Sequence, residues 1–379
     1  MSGALRRRLD EGRWHFQHGP IDCIVGADGD PAAIASAVER AGARFRVILD
    51  ELVGELALLR TDLASPGGAS VQPRGPIARR MVAACRPHAT GGRFITAMAA
   101  VAGSVAQELI AFFDDPRIVR AYVNNGGDIA LHLAPRAAFE IGWIADSDAA
   151  LCGRFETGSG LPVDALPRVR TGAAGRAKAA VPCAHDEAAR TPPDTAVPSQ
   201  PPSMHMPLGP SLDGTFRITA DSAVRGVATS GWRGRSFSLG IADSVTVLAT
   251  TASMADAAAT VIANAVDADD PAIRREPASR RRDDSDLGDR LVTCAVGALA
   301  PAVVEAALEA GVAAAQTEIR AGLAIAAALC LQGRVRTCPV AVDRAPPTRF
   351  DTLRPDARGR DPLRFGAPRP IAVTLLPRT

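Results

Sequence analysis

The sequence predicts an α+β protein of hairpin-connected strands and amphipathic helices. Three observations carry that reading. Of 379 residues, 47% are hydrophobic and 22% charged, ordinary proportions for a chain that buries a core. Over residues 31–60 the apolar positions recur at three- and four-residue intervals, the spacing of one helix face. Over 121–133 two apolar runs flank Asn124-Asn125-Gly126-Gly127-Asp128, and Asn and Gly tolerate the positive φ that a tight hairpin turn demands. The length allows two domains, or one large domain built from two similar halves.

The elements follow in order. Residues 20–29 are an apolar run closed by an Asp-Gly turn signal, the pattern of a strand. The helix over 31–60 carries Ile34, Val38, Ala41, Phe45, Ile48, Leu52 and Leu56 on its apolar stripe, with room for a kink. Gly68 and Pro73 mark a loop. Further helical patterns occupy 76–90 and 94–114, and the small residues of the second permit either close helix packing or a ligand beside Gly103. After the hairpin, in which Tyr122 reads as packing, 137–146 reads as a strand. From 163 to 212 the composition shifts to Pro, Ala and Ser, a flexible insertion; its His185, His205, Met204 and Met206 offer no fixed metal geometry. Strands are expected at 215–221, 227–229, 236–239 and 245–249. A buried helix over 254–266 then takes Ser253 as its N-cap. A charged loop over 269–287, a strand over 289–298, an Ala-rich helix over 300–322 and an apolar run over 323–332 complete the ordered part. From about 344 the chain reads as extended or disordered.

Composition also excludes. Basic and acidic residues number 43 and 41, for a net charge of +2, which leaves no field suited to nucleic acid. Lys178 is the only lysine, a bias we attribute to a GC-rich genome rather than to function. The cysteines Cys23, Cys85, Cys152, Cys183, Cys294, Cys330 and Cys338 form no CxxC pair and no zinc spacing. They read as free buried thiols, with Cys85, beside Arg86, the least core-like. Residues 1–16 carry charge where a signal peptide needs an apolar stretch, and the longest charge-free apolar run, 94–106, is too short to span a bilayer. The expectation is a soluble cytoplasmic protein with no membrane partner, a small-molecule or nucleotide ligand, and self-association left open.

Three clusters bear chemistry. The turn at 124–128 is a good hairpin turn, and its successive backbone amides also suit a phosphate or a ligand carbonyl. The segment Ala228-Thr229-Ser230-Gly231-Trp232-Arg233-Gly234-Arg235-Ser236 combines hydroxyls, glycines, two arginines and a ring, which serve equally a surface loop or a phosphate site. Asp256 and Thr260, four apart on an apolar helix, share one face. Asp256 then needs a partner, either the helix N-terminus or a hard cation such as Mg²⁺. No GxSxG, HExxH or GxxxxGK[ST] motif occurs.

Taken in order, NNGGDI, GVATSG, and SVTVLA followed by MADAAAT resemble the ApbE superfamily, whose best-known members are FAD-dependent protein flavin transferases once described as thiamine-biosynthesis lipoproteins. HGPIDCIVGADGDP, FITAMAAVAGSVAQ, RAYVNNGGDIALHL and DDSDLGDRLVT are more closely similar to a cytoplasmic ApbE-like family of bacteria and methanogenic archaea. The resemblance implies an α+β fold with T-fold-like antiparallel sheets backed by helices. Residues 1–162 and 213–343 would be two parts of one such domain, interrupted by 163–212 and followed by a tail, 344–379. It also implies Mg²⁺ held by Asp256, Thr260 and the Ala102 region. FAD or a related nucleotide would lie between Asn125, Gly126, Gly127 and Asp128 on one side and Thr229, Ser230 and Gly231 on the other, with Arg233 and Arg235 steadying phosphate. Two departures set this chain apart. The H-x-x-D-P-x-T-G segment of the transferases, with its activating His, is replaced by Ser236-Phe237-Ser238-Leu239-Gly240-Ile241-Ala242-Asp243, and the Lys of G-x-x-A-K-G has no counterpart after Ala102-Gly103. Both argue against flavin transfer to a protein hydroxyl. The alternative that the resemblance implies is an accessory factor in sulfur and homocysteine or one-carbon cofactor biosynthesis.

Overall fold

The computed structural model describes residues 3–9, 12–143, 214–339 and 371–372. The strand expected at 20–29 is β3 (Ile21–Gly29), which buries Ile21, Cys23 and Val25 on one side, as the period-two alternation of side chains requires. It pairs antiparallel with β2 (Arg13–His18), which pairs with β1 (Leu5–Arg8). The sequence reading assigned no strand before residue 20, because LRRR and RWHFQH carry too many charges to read as apolar alternation; these segments are held by the ladder instead. On its other side β3 pairs with β4 (Ile118–Asn125), which returns as β5 (Asp128–Leu133) with Asn125 opposite Asp128. The turn residues Gly126 and Gly127 have φ of +68° and +116°, conformations that side chains other than glycine rarely adopt.

Strands β8 (Gly226–Ser230), β9 (Ser244–Ala249), β12 (Ala326–Leu331) and β13 (Arg334–Pro339) continue the sheet. Its order is β1-β2-β3-β4-β5-β8-β9-β12-β13, with every neighbouring pair antiparallel. On one face Val25, Val123, Ala130, Val247 and Ala327 pack against helices. Helix α1 (Pro31–Gly54) lies on β2 and β3, α4 (Val101–Ile110) on β4 and β5, α5 (Ala252–Ala265) on β8 and β9, and α7 (Pro301–Arg320) on β12 and β13. On the other face Ile129, Leu131, Val227 and Leu248 pack with Phe139, Ile141 and Ile218. These last three belong to a small sheet of β6 (Ala138–Trp143) and β7 (Gly214–Thr219), with β14 (Ile371–Ala372) parallel to β6. A mixed protein with a large antiparallel sheet and several helices is therefore what the chain forms. No helix among the described residues is long and apolar enough to cross a membrane.

The helix ends explain the expected kink. Asp30 caps α1 by accepting the Ala33 N–H at 2.8 Å, with Pro31 in the first turn. The helix stops at Gly54 and resumes as α2 (Leu56–Leu59), because the Glu55 carboxylate turns aside to accept the Arg74 and Gly75 N–H groups at the start of α3 (Pro76–Cys85).

Four expectations need correction. The N-cap of α5 is Thr251, not Ser253: Thr251 is extended and its side chain accepts the Met254 N–H, whereas the Ser253 hydroxyl donates to Gln107 at 2.8 Å. Residues 236–239 are not a strand, because the Leu239 N–H donates to the Asn264 side chain and Ser238 O accepts from Thr293 rather than from a ladder. The segment 269–287 is not only a loop. It contains β10 (Ile273–Pro277), paired with β11 (Leu291–Val296), and α6 (Ala278–Arg281), where pairing with an apolar strand outweighs a charged sequence. Cys85 is fully buried in the core rather than the least core-like thiol, since α3 turns it toward the Ala97 carbonyl. The insertion at 163–212, the tail beyond 344 and Cys152, Cys183, His185, His205, Met204 and Met206 lie outside the described residues, apart from the two residues of β14.

Candidate functional site

Helices α4 and α5 meet at Gly103, and the contact leaves no room for a side chain: a Cβ there would lie 2.2 Å from the Ala252 carbonyl oxygen and 2.9 Å from Asp256 Cβ. The small-residue stripe thus serves helix packing. The same approach lets the Gly103 N–H donate to Asp256 Oδ2 at 2.8 Å. Beside it, Asn125 Nδ2 donates to the Ala102 carbonyl at 3.1 Å, while Asn125 Oδ1 is buried with no partner. A lone buried acceptor of this kind is costly unless something donates to it or is ligated by it.

Asp128, at the start of β5 and 9% exposed, accepts the Thr229 N–H at 3.2 Å. The Thr229 and Thr246 hydroxyls are 2.9 Å apart and hydrogen-bonded. Arg235 folds over the hairpin turn so closely that a Cβ on Gly126 would sit 2.2 Å from its guanidinium. Burial pushes the Asp128 carboxyl up to about 7, against the Thr229 N–H and the Arg235 charge, which pull it down. Burial, and next the Asp128 charge, hold Asp256 well above the usual carboxylate range despite the Gly103 and Ala102 N–H groups. Two carboxyls facing one space and each poorly compensated favour a cation or shared protons.

Asn125, Asp128, Thr229, Arg235 and Asp256 line one cavity of about 1860 Å³. Ala102, Asn125, Gly126, Gly127, Asp128, Thr229, Ser230, Gly231, Arg235, Asp256 and Thr260, all named from the sequence, meet there. Arg233 does not line it. Its Nε donates to the buried Asp243 at 3.0 Å and its guanidinium lies 5.1 Å over the Trp232 ring. Asp243 also accepts from Trp232 Nε1 and the Gln332 N–H, so Arg233 closes a structural network.

The sequence reading missed the rest of the wall. Tyr122 lies over Gly26 and meets the Phe139 ring edge-on at 6.1 Å, and the exposed Arg136 and Arg217 are also among the lining residues. The available signal was the register that sets Gly26 opposite Tyr122, which only the paired strands reveal. The segment 284–287 forms a further wall, tied by an Arg60–Asp284 ion pair at 3.0 Å and a Thr96–Asp286 hydrogen bond. Among the described residues no histidine lines the cavity, and no three His, Cys, Asp or Glu side chains gather as a metal cluster.

A family model described as AbpE bacteria matches residues 6–165 and 196–337, most of the chain. The chain belongs to that family. The matched segments contain every cavity residue named above. No curated protein matches the chain.

Proposed function

We propose that this cavity binds Mg²⁺ together with FAD or a related nucleotide, that the architecture is the T-fold-like one of ApbE-type proteins, and that the protein works in the cytoplasm on a small-molecule ligand. The observation that carries the reading is the meeting, at one hairpin turn, of two poorly compensated carboxyls, Asp128 and Asp256, with the orphaned Asn125 Oδ1. An all-oxygen donor set of this kind fits a hard cation. Asp256, Thr260 and the Ala102 carbonyl would hold the ion, which supplies Lewis-acid polarisation of a phosphoryl oxygen.

The chain's own groups orient the ligand. The Gly127 N–H is taken by Asn124 Oδ1 at 2.8 Å, so the turn itself is closed, and it is the Arg235 guanidinium above it that suits a diphosphate. Ser230 and Gly231 continue the wall next to Asp128, which takes the Thr229 N–H. Transfer of a flavin group to a protein hydroxyl needs a base to take the proton, and no histidine among the described residues lines the cavity. The reading therefore stops at metal-dependent nucleotide binding and chemistry on a small molecule. An accessory role as a sulfur carrier would need an accessible, low-pKa thiol, and burial pushes the Cys85 thiol well above its ordinary value.

The experiment is a calorimetric titration with FAD, with and without Mg²⁺, on the protein and on Asp256→Ala. Magnesium-dependent binding that Asp256→Ala abolishes is expected. Equal affinity in the folded variant, or no binding in either condition, would overturn the proposal.

A further inference from the structure

One wall of the cavity is built differently from the others. Helices α4 and α5 pack on the large sheet, whereas the wall over 284–287 belongs to the end of the β10–β11 hairpin, which pairs with no other strand among the described residues. The segment 279–290 leaves that hairpin beside Ala278, whose N–H donates to the Arg290 carbonyl at 2.9 Å, and no residue from 279 to 290 is buried. A segment with few buried apolar contacts and an exposed backbone is among the first to open locally.

The segment joins two sides of the cavity. At one end the Arg282 guanidinium lies 5.5 Å over the Phe237 ring. At the other, Asp284 pairs with Arg60 at 3.0 Å, Arg290 pairs with Asp62 at 3.7 Å and lies 3.4 Å over the Phe94 ring, and Asp286 accepts the Thr96 hydroxyl. Phe237, Phe94, Thr96 and Arg60 all line the cavity. The Asp284 side chain is 66% exposed, and exposed ion pairs hold weakly. Thr96 is the buried anchor, 2% exposed. Its oxygen accepts the Met98 N–H at 3.2 Å and caps the turn Ala97–Ala100, which runs directly into α4 and the Ala102 carbonyl. The same hydroxyl gives its hydrogen to Asp286, so the segment is latched to the turn that leads to the assigned ion site.

We infer that residues 279–290 are a hinged strap that closes the cavity through the Arg60–Asp284 and Thr96–Asp286 contacts and opens to admit ligand, as lids over binding sites do. This names a control on access to the site assigned above, and it rests on that reading only for what enters.

The test needs no nucleotide. Met98 lines the cavity two positions beyond Thr96, and Met98→Cys places a reporter thiol on the wall that the strap is latched to. Its rate of reaction with an aromatic disulfide reagent is measured on the full chain, against the protein lacking the reporter as background. The strap is left unaltered or carries Arg60→Glu, Asp284→Arg, or both. Each single reversal sets like charges against one another, and the double variant restores an opposite pair. Expected is a reaction about threefold faster in each single variant, the scale of one exposed pair, and a return to the unaltered rate in the double variant. Asp286→Ala, which leaves the Thr96 cap in place, should speed the reaction likewise. Thermal unfolding checks that every variant is folded. Equal rates in all of the folded proteins, or a double variant as fast as the singles, would overturn the inference. If FAD and Mg²⁺ fail to bind while the rates follow the ion pair, the nucleotide reading falls and the strap stands. If FAD binds and the rates do not respond, the strap alone falls.

Discussion

Replacing Asp128 with Asn should make the folded protein more stable at neutral and alkaline pH and flatten its dependence on pH. In the native protein burial raises this carboxyl from 3.8 to about 7, so the folded chain binds its proton more tightly than the unfolded chain does. Between those two values the folded state carries more protons, and stability therefore falls as pH rises. It is fully present below about pH 4 and is lost as pH passes through the folded value near 7. The displacement corresponds to about 4 kcal/mol at pH 8, since each factor of ten in proton affinity is worth 1.36 kcal/mol. The amide of D128N keeps the shape and carries no charge. It also relieves Asp256, whose carboxyl the Asp128 charge holds up. The assay is urea unfolding of both proteins at intervals from about pH 4 to pH 8, because their difference reports Asp128 together with the part of the Asp256 titration that the Asp128 charge sets. The curves should meet at the acid end and separate by up to about 4 kcal/mol at the alkaline end, with D128N the more stable. Parallel curves would refute the reasoning. Mg²⁺ provides a second check: at a hundred times its Kd it should add about 2.7 kcal/mol to the native protein, and less to D128N.

Other outcomes follow from single contacts. Gly103→Ala drives a Cβ into the Ala252 carbonyl and should cost roughly 3 kcal/mol by overpacking, read as a lowered midpoint in scanning calorimetry together with loss of magnesium-dependent ligand binding. Thr251→Ala should cost about 1 kcal/mol by uncapping α5, and Thr251→Ser should recover most of it in the same unfolding assay. Cys85→Ser should leave the number of thiols that react with an aromatic disulfide reagent unchanged in the native protein, because Cys85 is fully buried, and lower it by one in urea.

Local patterns were the legible part of this fold. The apolar stripe of α1, the Asn-Asn-Gly-Gly hairpin and the Ala-rich α7 each express a periodicity or a turn preference contained within the segment itself. The strands β1, β2 and β10 were not legible, because their stability comes from partners rather than from their own charged sequences. Thr251 and Ser253 compete for the same cap with similar chemistry, and Gln107, distant in the chain, decides between them by engaging Ser253.

The sequence by itself determined the α+β character, the hairpin turn, and the residue types from which a site could be assembled. Tertiary structure alone decided that Asp256 faces Asp128, that Arg235 covers Gly126, that Arg233 is taken by Asp243, and that Tyr122 and Phe139 extend the cavity. The physical reason is range. Propensity and periodicity act over a few neighbouring residues, whereas charge compensation and close approach act between groups that only the packed sheet and helices bring together, as with Gly103 and Asp256, which lie 153 positions apart.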